Sequence, residues 1–342
     1  MKKLLLVLLV LVVAGIVGGS SWESKREEKD AAAYPAPGKL VEAGGRKLHF
    51  QCTGAGAPTV VFESSGHSSS TEWEKLLPEV GKSHRACAYD RAGLGWSEPV
   101  AGDRSASDFV EELRGALTAA GEKPPYVLVG HSAGASIVRA WQAAHPADVA
   151  GLVLVDAMPA YVLSRWPKAL AAERSNLSRG RWLAQVGLLR LANPLHLEGR
   201  EAALTYRPRT MIAAEQLVNA SAAILPSLPP TLPVPTVVLT HGHGGDFFGP
   251  GVVGPIDEAA IEYDWQAAQK ELAKGPKSSL VVADKSGHRI AEEQPELIVQ
   301  AIETVSKPPE PPKASPEAAQ NPAGAAKNAP ASAPPATPQP RK

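Results

Sequence analysis

The chain has 342 residues, 44% hydrophobic and 20% charged, an ordinary globular balance with room for one large domain or two small ones. Its 35 basic and 35 acidic residues cancel. That balance argues against a nucleic-acid binder, which would carry a basic face.

Both ends stand apart from the rest. Met1-Lys2-Lys3 precedes the apolar run Leu4 to Val17 and the small residues Gly18-Gly19-Ser20-Ser21. A positive start, a 14-residue apolar stretch and a small-residue exit describe a secretory signal. The run is short for a spanning helix, which needs about 20 residues, but no clean Ala-x-Ala site follows it. Residues 1–21 are therefore read as a signal peptide or an N-terminal membrane anchor, and the protein as exported, periplasmic or secreted. From Lys307 to Lys342 there are 11 prolines in 36 residues, a composition too poor in apolar surface to order itself. This tail is expected to be disordered, a spacer or a segment in contact with the cell envelope.

Between the ends, elements follow in order. After a loose stretch through Pro37, Lys47 to Cys52 alternates like a strand. Thr59 to Glu63 reads as a buried strand ending in Ser64-Ser65-Gly66, followed by a helical stretch from Thr71 to Val80. Arg85 to Asp90 is the next strand, closed by Arg91-Ala92-Gly93-Leu94-Gly95. An amphipathic helix runs from Ser105 to Ala119, with Ser105 and Asp108 placed as a capping box and Gly121 at its end. Tyr126 to Val129 is a strand that turns through Gly130-His131-Ser132-Ala133-Gly134 into a helix ending before Pro146. Leu152 to Val155 is another apolar strand, ending at Asp156. Strands alternating with helices and apolar on both faces imply a mostly parallel sheet covered on both sides.

The alternation breaks from Ala157 to Leu232, where the pattern is helical, as in Arg181 to Arg190. An insert of that kind reads as a cap over a site. Its Trp166, Trp182, Leu188 and Leu189 suit either the cap's own core or the lining of a pocket. Alternation resumes with the strand Thr236 to Thr240, a helix near Asp257 to Lys274, the strand Leu280 to Ala283 and a last helix from Pro295 to Val305.

Gly130-His131-Ser132-Ala133-Gly134 fits the pattern G-x-S-x-G. A serine on a strained strand-to-helix turn needs neighbours without a Cβ two residues to either side, and glycines supply that. The following helix aims its positive end at the serine. Ser132 is thus the candidate nucleophile. It needs a base and an orienting acid. Of the nine histidines, His288 follows the last strand in Ser286-Gly287-His288 and completes the order serine, acid, histidine.

With these motifs in place, the chain resembles the α/β-hydrolase superfamily, in particular bacterial single-domain members with the loop Tyr89-Asp90-Arg91-Ala92-Gly93-Leu94-Gly95-Trp96-Ser97. The resemblance runs from about Lys39 to Val305. It implies the α/β-hydrolase fold: an eight-stranded, mostly parallel sheet with one antiparallel strand, helices on both faces, a helical cap inserted after strand 6, and no cofactor. One departure stands out, since the family's His-Gly after the third strand is Glu63-Ser64 here. The oxyanion hole is expected from the backbone N–H of Ala133 and one from the Ser64 to His67 loop, most simply Ser65. His67 reads as a substrate contact or a plain loop residue. Two aspartates compete for the acid. Asp246 lies where most of the family keeps it, in a loop about three residues longer than usual. Asp156 ends the sixth strand, a position used by a minority, and is preferred because it needs no loop rearrangement. Asp90 reads as a structural turn residue. His241, His243 and Asp246 have ligand-like spacing, yet no further His or Cys is near, so no metal is assigned. The two cysteines, Cys52 and Cys87, are a disulfide candidate in an exported protein, and the family's strand order sets their strands side by side.

The function expected on this resemblance is serine hydrolysis of a small-molecule ester, thioester or amide through an acyl-enzyme. A non-catalytic exported binding protein that retains the fold, and a cofactor-free lyase or perhydrolase with the same three residues, remain the alternatives.

Overall fold

A computed structural model of the chain describes residues 1–160, 165–244 and 258–307. The Pro-rich tail, the part of the cap entrance at 161–164 and Asp246 lie outside the described residues. Residues 1–306 form one compact unit.

The sheet has eight strands: β1 (Lys39–Ala43), β2 (Arg46–Thr53), β3 (Thr59–Glu63), β4 (Ala86–Tyr89), β5 (Tyr126–His131), β6 (Val149–Val155), β7 (Thr236–His241) and β8 (Ser278–Ala283). Their spatial order is β1-β2-β4-β3-β5-β6-β7-β8, and β2 runs antiparallel to both neighbours while the others are parallel. This is the α/β-hydrolase sheet that the resemblance implied. β3, β4, β5 and β7 are buried along their whole length, as strands covered on both faces must be. β1 was not foreseen from the sequence, because an edge strand of five residues with polar Lys39 and Glu42 carries little pattern.

Two apolar layers cover the sheet. On one face α3 (Ala106–Ala120) and α4 (Gly134–Ala144) bury Phe109, Leu113, Leu117, Ile137 and Trp141 against Leu128, Leu152 and Leu154. On the other, α2 (Leu76–Val80) and the C-terminal helix (Pro295–Ser306) bury Leu76, Leu77, Ile298 and Ile302 against Val60, Val127 and Val153. The capping box forms as expected: Ser105 Oγ accepts from the Asp108 N–H while Asp108 accepts from the Ser105 N–H, and Gly121 closes the helix at φ 85°. The helix read from Thr71 to Val80 divides into a 3₁₀ turn, Ser70–Trp73, and α2.

Among the described residues the cap is helical: α5 (Pro167–Gln185), α6 (Leu188–Ala192), α7 (Gly199–Thr205) and α8 (Pro208–Ile224). α9 (Glu258–Leu272) then leads to β8, and α10 (Ile290–Glu293) precedes the C-terminal helix, α11. Of the four cap residues named from sequence, Trp182 and Leu188 are exposed and lie outside the cap's core, and Leu189 packs at the edge of a small cluster of Leu177, Met211 and Val218. The N-terminal segment departs further from expectation. α1 (Lys2–Ala33) runs unbroken through the small residues at 18–21 and through the stretch read as loose.

Cys52 and Cys87 are directly opposed on β2 and β4, with Cα atoms 4.1 Å apart, and form a disulfide. The bridge joins positions 35 residues apart, worth roughly 4 kcal/mol in the chain-entropy account of loop closure. Thiol titration of the unreduced, denatured protein is expected to find no free thiol, and reduction is expected to lower Tm by several degrees. Two free thiols would refute the bridge.

Candidate active site

The site is built at the carboxyl ends of β3, β5, β6, β7 and β8. At the end of β5 the chain turns so sharply that Ser132 adopts φ 52°, a left-handed conformation rare for a non-glycine residue. The turn is held by the Ser132 N–H donating to Val155 O, and by Ala135 N–H and Met158 N–H donating to Ser132 O. The glycines are needed for space. A Cβ on Gly130 would meet Ala135 Cα at 2.8 Å, and one on Gly134 would meet Ser64 O at 2.3 Å. Ala133 stands directly before α4, so its N–H lies at the positive end of that helix.

Asp156 also has positive φ, 43°, at the end of β6, and its carboxylate is fully buried. His288 Nδ1 lies 2.6 Å from its Oδ2. Of the two aspartates the sequence offered, Asp156 is the one the structure brings to His288; Asp246 cannot be compared because it falls outside the described residues. Asp156 also accepts from Trp265 Nε1 at 2.9 Å and from His241 Nδ1 at 2.8 Å. Burial alone would raise its pKa, but the hydrogen bonds from His241 and His288 outweigh that and hold it well below the usual carboxylate range.

Two further histidines flank His288. His241 has a carboxylate on each side, Asp156 at Nδ1 and Glu262 at Nε2, 2.9 Å away. His131, next to Ser132, meets Glu72 through Nδ1 and donates from Nε2 to His288 O at 3.0 Å. Carboxylates facing a ring favour its charged form, although His241 Nε2 also meets the amide of Gln266 at 3.1 Å. Burial would lower the pKa of both rings, yet the facing carboxylates raise them: Glu72 for His131, and Asp156 with Glu262 for His241. His288 is different. Burial lowers its pKa, Asp156 resists, and the cations at His131 and His241 lower it further. Of the three rings, His288 is thus the one whose surroundings favour the neutral form, while those of His131 and His241 favour the charged form.

The residue Ser65 requires a correction. Its N–H, expected to face an oxyanion, donates to Glu72 Oε2 at 2.9 Å. Glu72 sits on the turn after β3, where burial would raise its pKa but His131 and the Ser65 N–H lower it. The loop itself is shaped by Arg91, which pairs with Glu63 and donates to the carbonyls of Ser64 (2.7 Å), Ser65 and Gly66 (2.8 Å). Tyr89 Oη donates to Glu63 at 2.7 Å. This set explains the departure from His-Gly: the buried Glu63 needs the Tyr89 and Arg91 that the Tyr-Asp-Arg loop supplies. Asp90 is structural, as read, accepting from His49 Nδ1, Ser70 N–H and Trp96 N–H. From the cap, Glu173 faces His67, and burial pushes its carboxyl pKa up. Glu72, His131, His241, Glu262 and Trp265 were missed from sequence. Glu72, Glu262 and Trp265 belong to no spaced motif, while His131 is the variable position of the elbow and the spacing of His241, the last residue of β7, suggests only a metal ligand.

Comparison with known proteins identifies the family. Residues 48–301 match the model of the alpha/beta hydrolase family, and the chain belongs to that family. Among curated relatives, the uncharacterized protein YqjL of Bacillus subtilis (strain 168) is 39% identical over 103 residues, 30% of this chain and 41% of that one. A 2-hydroxymuconate semialdehyde hydrolase of Pseudomonas sp. (strain CF600) is 33% identical over 124 residues, 35% of this chain and 44% of that one. The chain thus spans less than half the length of either relative. Among solved structures, a thermophilic esterase from Thermogutta terrifontis is similar with a TM-score of 0.57 at 22% identity, over 79% of this chain and 99% of that one. The enol-lactonase from Burkholderia xenovorans LB400 is similar with a TM-score of 0.57 at 19% identity, over 78% and 99%.

The flanking histidines set a measurable quantity. Burial and the neighbouring His131 and His241 hold the pKa of the His288 ring below that of a free imidazole, and the His241→Gln variant should move it upward. NMR titration of the ring protons reads this; a downward move or no change would remove His241 from the electrostatics of the site.

Proposed function

We propose that the protein is an exported serine hydrolase that cleaves a small ester, thioester or amide through an acyl-enzyme, with Ser132 as nucleophile, His288 as base and Asp156 as the acid. The observation that carries this reading is the 2.6 Å pair of His288 Nδ1 with the buried Asp156, on the strand adjoining the left-handed turn of Ser132. Asp156 fixes the tautomer by accepting the Nδ1 proton, which leaves Nε2 as the basic nitrogen. His288 takes the proton of Ser132 as Oγ attacks the carbonyl, then returns it to the leaving group. Water repeats the cycle on the acyl-enzyme. The Ala133 N–H, at the head of α4, stabilises the oxyanion. A second donor from the Ser65 loop would require that N–H to leave Glu72.

His131 and His241 fit this chemistry. Their charge beside the base lowers its pKa and so favours the neutral, proton-accepting form in the resting state. As imidazolium forms at His288, Asp156 supplies the compensating charge.

The test is a fluorophosphonate probe with a panel of p-nitrophenyl esters of rising chain length. Wild-type protein should be labelled on Ser132, and Ser132→Ala should lose label and turnover with its Tm unchanged. Asp156→Asn should keep the fold yet lower kcat by about 10³–10⁴-fold, the usual result of a wrong imidazole tautomer. An unlabelled wild-type protein with no esterase activity would overturn the reading in favour of a binding protein. Activity in Asp156→Asn at half the wild-type rate would remove Asp156 as the acid.

A further inference from the structure

α1 has two halves of opposite character. From Leu4 to Val13 every side chain is more than half exposed or close to it, an apolar rod with nothing packed on it among the described residues. From Gly19 onward one face is covered. Gly19, Glu23, Glu27, Asp30 and Tyr34 recur at helical spacing and are the partly or fully buried positions. Three of the five are acidic, and they meet arginines of the cap. Arg190, at the end of the α6 turn, reaches Glu23 at 2.8 Å and Asp30 at 3.0 Å. Glu27 acts on Arg190, Arg207 and Arg209 together. Arg207 and Arg209 also donate to Gly95 O, and Trp96 Nε1 donates to Tyr34 O at 2.7 Å, so the helix is tied to the Arg91–Ser97 loop as well. The packing is close: a Cβ on Gly19 would lie 2.5 Å from Val186 O, and one on Gly187 would lie 2.5 Å from Trp22. Buried carboxylates are tolerated only when paired, and here the pairs are split between α1 and the cap.

A second observation falls at the same level of the helix. Where α1 leaves the domain, the cap turn at 186–188 touches Gly19 and Trp22. Around that point Trp22 (41%), Trp182 (53%), Leu188 (45%) and Leu191 (68%) stand exposed. Large apolar side chains exposed together at the base of an apolar helix, two of them tryptophan, match the composition of a membrane interface.

We propose that α1 is retained as a membrane anchor, with Leu4 to Gly18 in the lipid bilayer and residues 19–34 as a stem that clamps the cap, so that the cap sits on the membrane surface through Trp22, Trp182, Leu188 and Leu191. The dimensions agree. Leu4 to Gly18 rises about 22 Å at about 1.5 Å per residue, short of the roughly 30 Å of hydrocarbon. The exposed collar, entering the interface by about 5–10 Å, makes up the difference. Lys2 and Lys3 then stay on the cytoplasmic side and the domain on the exported side. Signal processing would need an extended chain at the small residues 18–21, which are helical here, with Gly19 packed on Val186. This inference extends beyond the acyl-transfer reading and stands without it.

The full chain with a C-terminal tag, expressed in an exporting bacterium, tests the anchor. Intact mass should retain residues 1–21, and the protein should stay in the membrane pellet after alkaline carbonate. A mature chain that begins beyond Gly18 and is found in the soluble fraction would overturn the proposal. The Leu188→Asp/Leu191→Asp variant, changed at exposed positions that leave the core intact, should show a large fall in detergent-solubilised protein recaptured by phosphatidylglycerol vesicles. Recapture equal to wild type would refute the collar. For the clamp, Arg190→Glu in the solubilised full chain should raise the rate of tryptic cleavage at Arg174, Arg179 and Arg181 about tenfold or more, since it leaves Glu23 buried without its cation and Asp30 with Arg26 of its own helix alone. Glu23→Arg/Arg190→Glu should recover part of that protection, and the milder Glu23→Gln/Asp30→Asn pair should move the rate less. Identical cleavage rates in all of these would refute the clamp.

Discussion

One buried anion organises the functional end of this molecule. The Asp156 carboxylate has no solvent contact, so every lone pair must meet a donor from the protein. Donors arrive from three separate elements: His241 at the end of β7, Trp265 on α9 and His288 in the loop after β8. These lie on the C-terminal half of the sheet, whereas Ser132 comes from its centre. The need to satisfy a single carboxylate is therefore what sets His288 in place. The positive φ at Asp156, rare for a non-glycine residue, is held in place by the same set of bonds.

A second set of buried charges does equivalent work on the other side of the elbow. Glu63, at the end of β3, is neutralised by Arg91 and Tyr89, and Arg91 uses its remaining donors on the carbonyls that follow Glu63. Asp90 faces the opposite way, to His49 and two backbone N–H groups, and Gly95 is forced because a Cβ there would overlap its carboxylate. Burying these groups costs more than an apolar core would. What the cost obtains is a fixed loop beside Gly134, whose missing Cβ lets α4 approach Ser64 O.

The contrast between what was legible and what was not follows from these facts. Gly130, Ser132, Gly134 and Gly121 could be read because each answers a local backbone demand that only a few residue types meet. The eight-stranded sheet and the adjacency of the Cys52 and Cys87 strands were expected from the family resemblance that the elbow and the Tyr-Asp-Arg loop carry, and the structure adds the register that sets the two cysteines opposite each other. Glu72, His131, His241 and Glu262 could not be read, because their roles arise from charges 21 to 59 residues apart that only the folded chain sets face to face. The stem of α1 was hidden for a different reason. Glu23, Glu27 and Asp30 look like an ordinary solvated charge run until Arg190, Arg207 and Arg209 are known to lie opposite.

The cap joins these networks into one. Met158 N–H, at its start, donates to Ser132 O, and Gln269 Nε2 holds Ala157 O at 2.7 Å. At its far side Arg207 and Arg209 share Gly95 O, in the loop whose Arg91 shapes the segment before the elbow. Ser136 of α4 and Ser221 of α8 meet at 2.8 Å between the two. The cap is thus fixed at the serine's own carbonyl, at the Tyr-Asp-Arg loop and, through Arg190, at α1. A cap held at three such points cannot shift at one without loading the others, because each contact is a polar group buried with a specific partner. Whatever positions α1 therefore bears on the cap as well, through the ion pairs of Arg190 with Glu23 and Asp30.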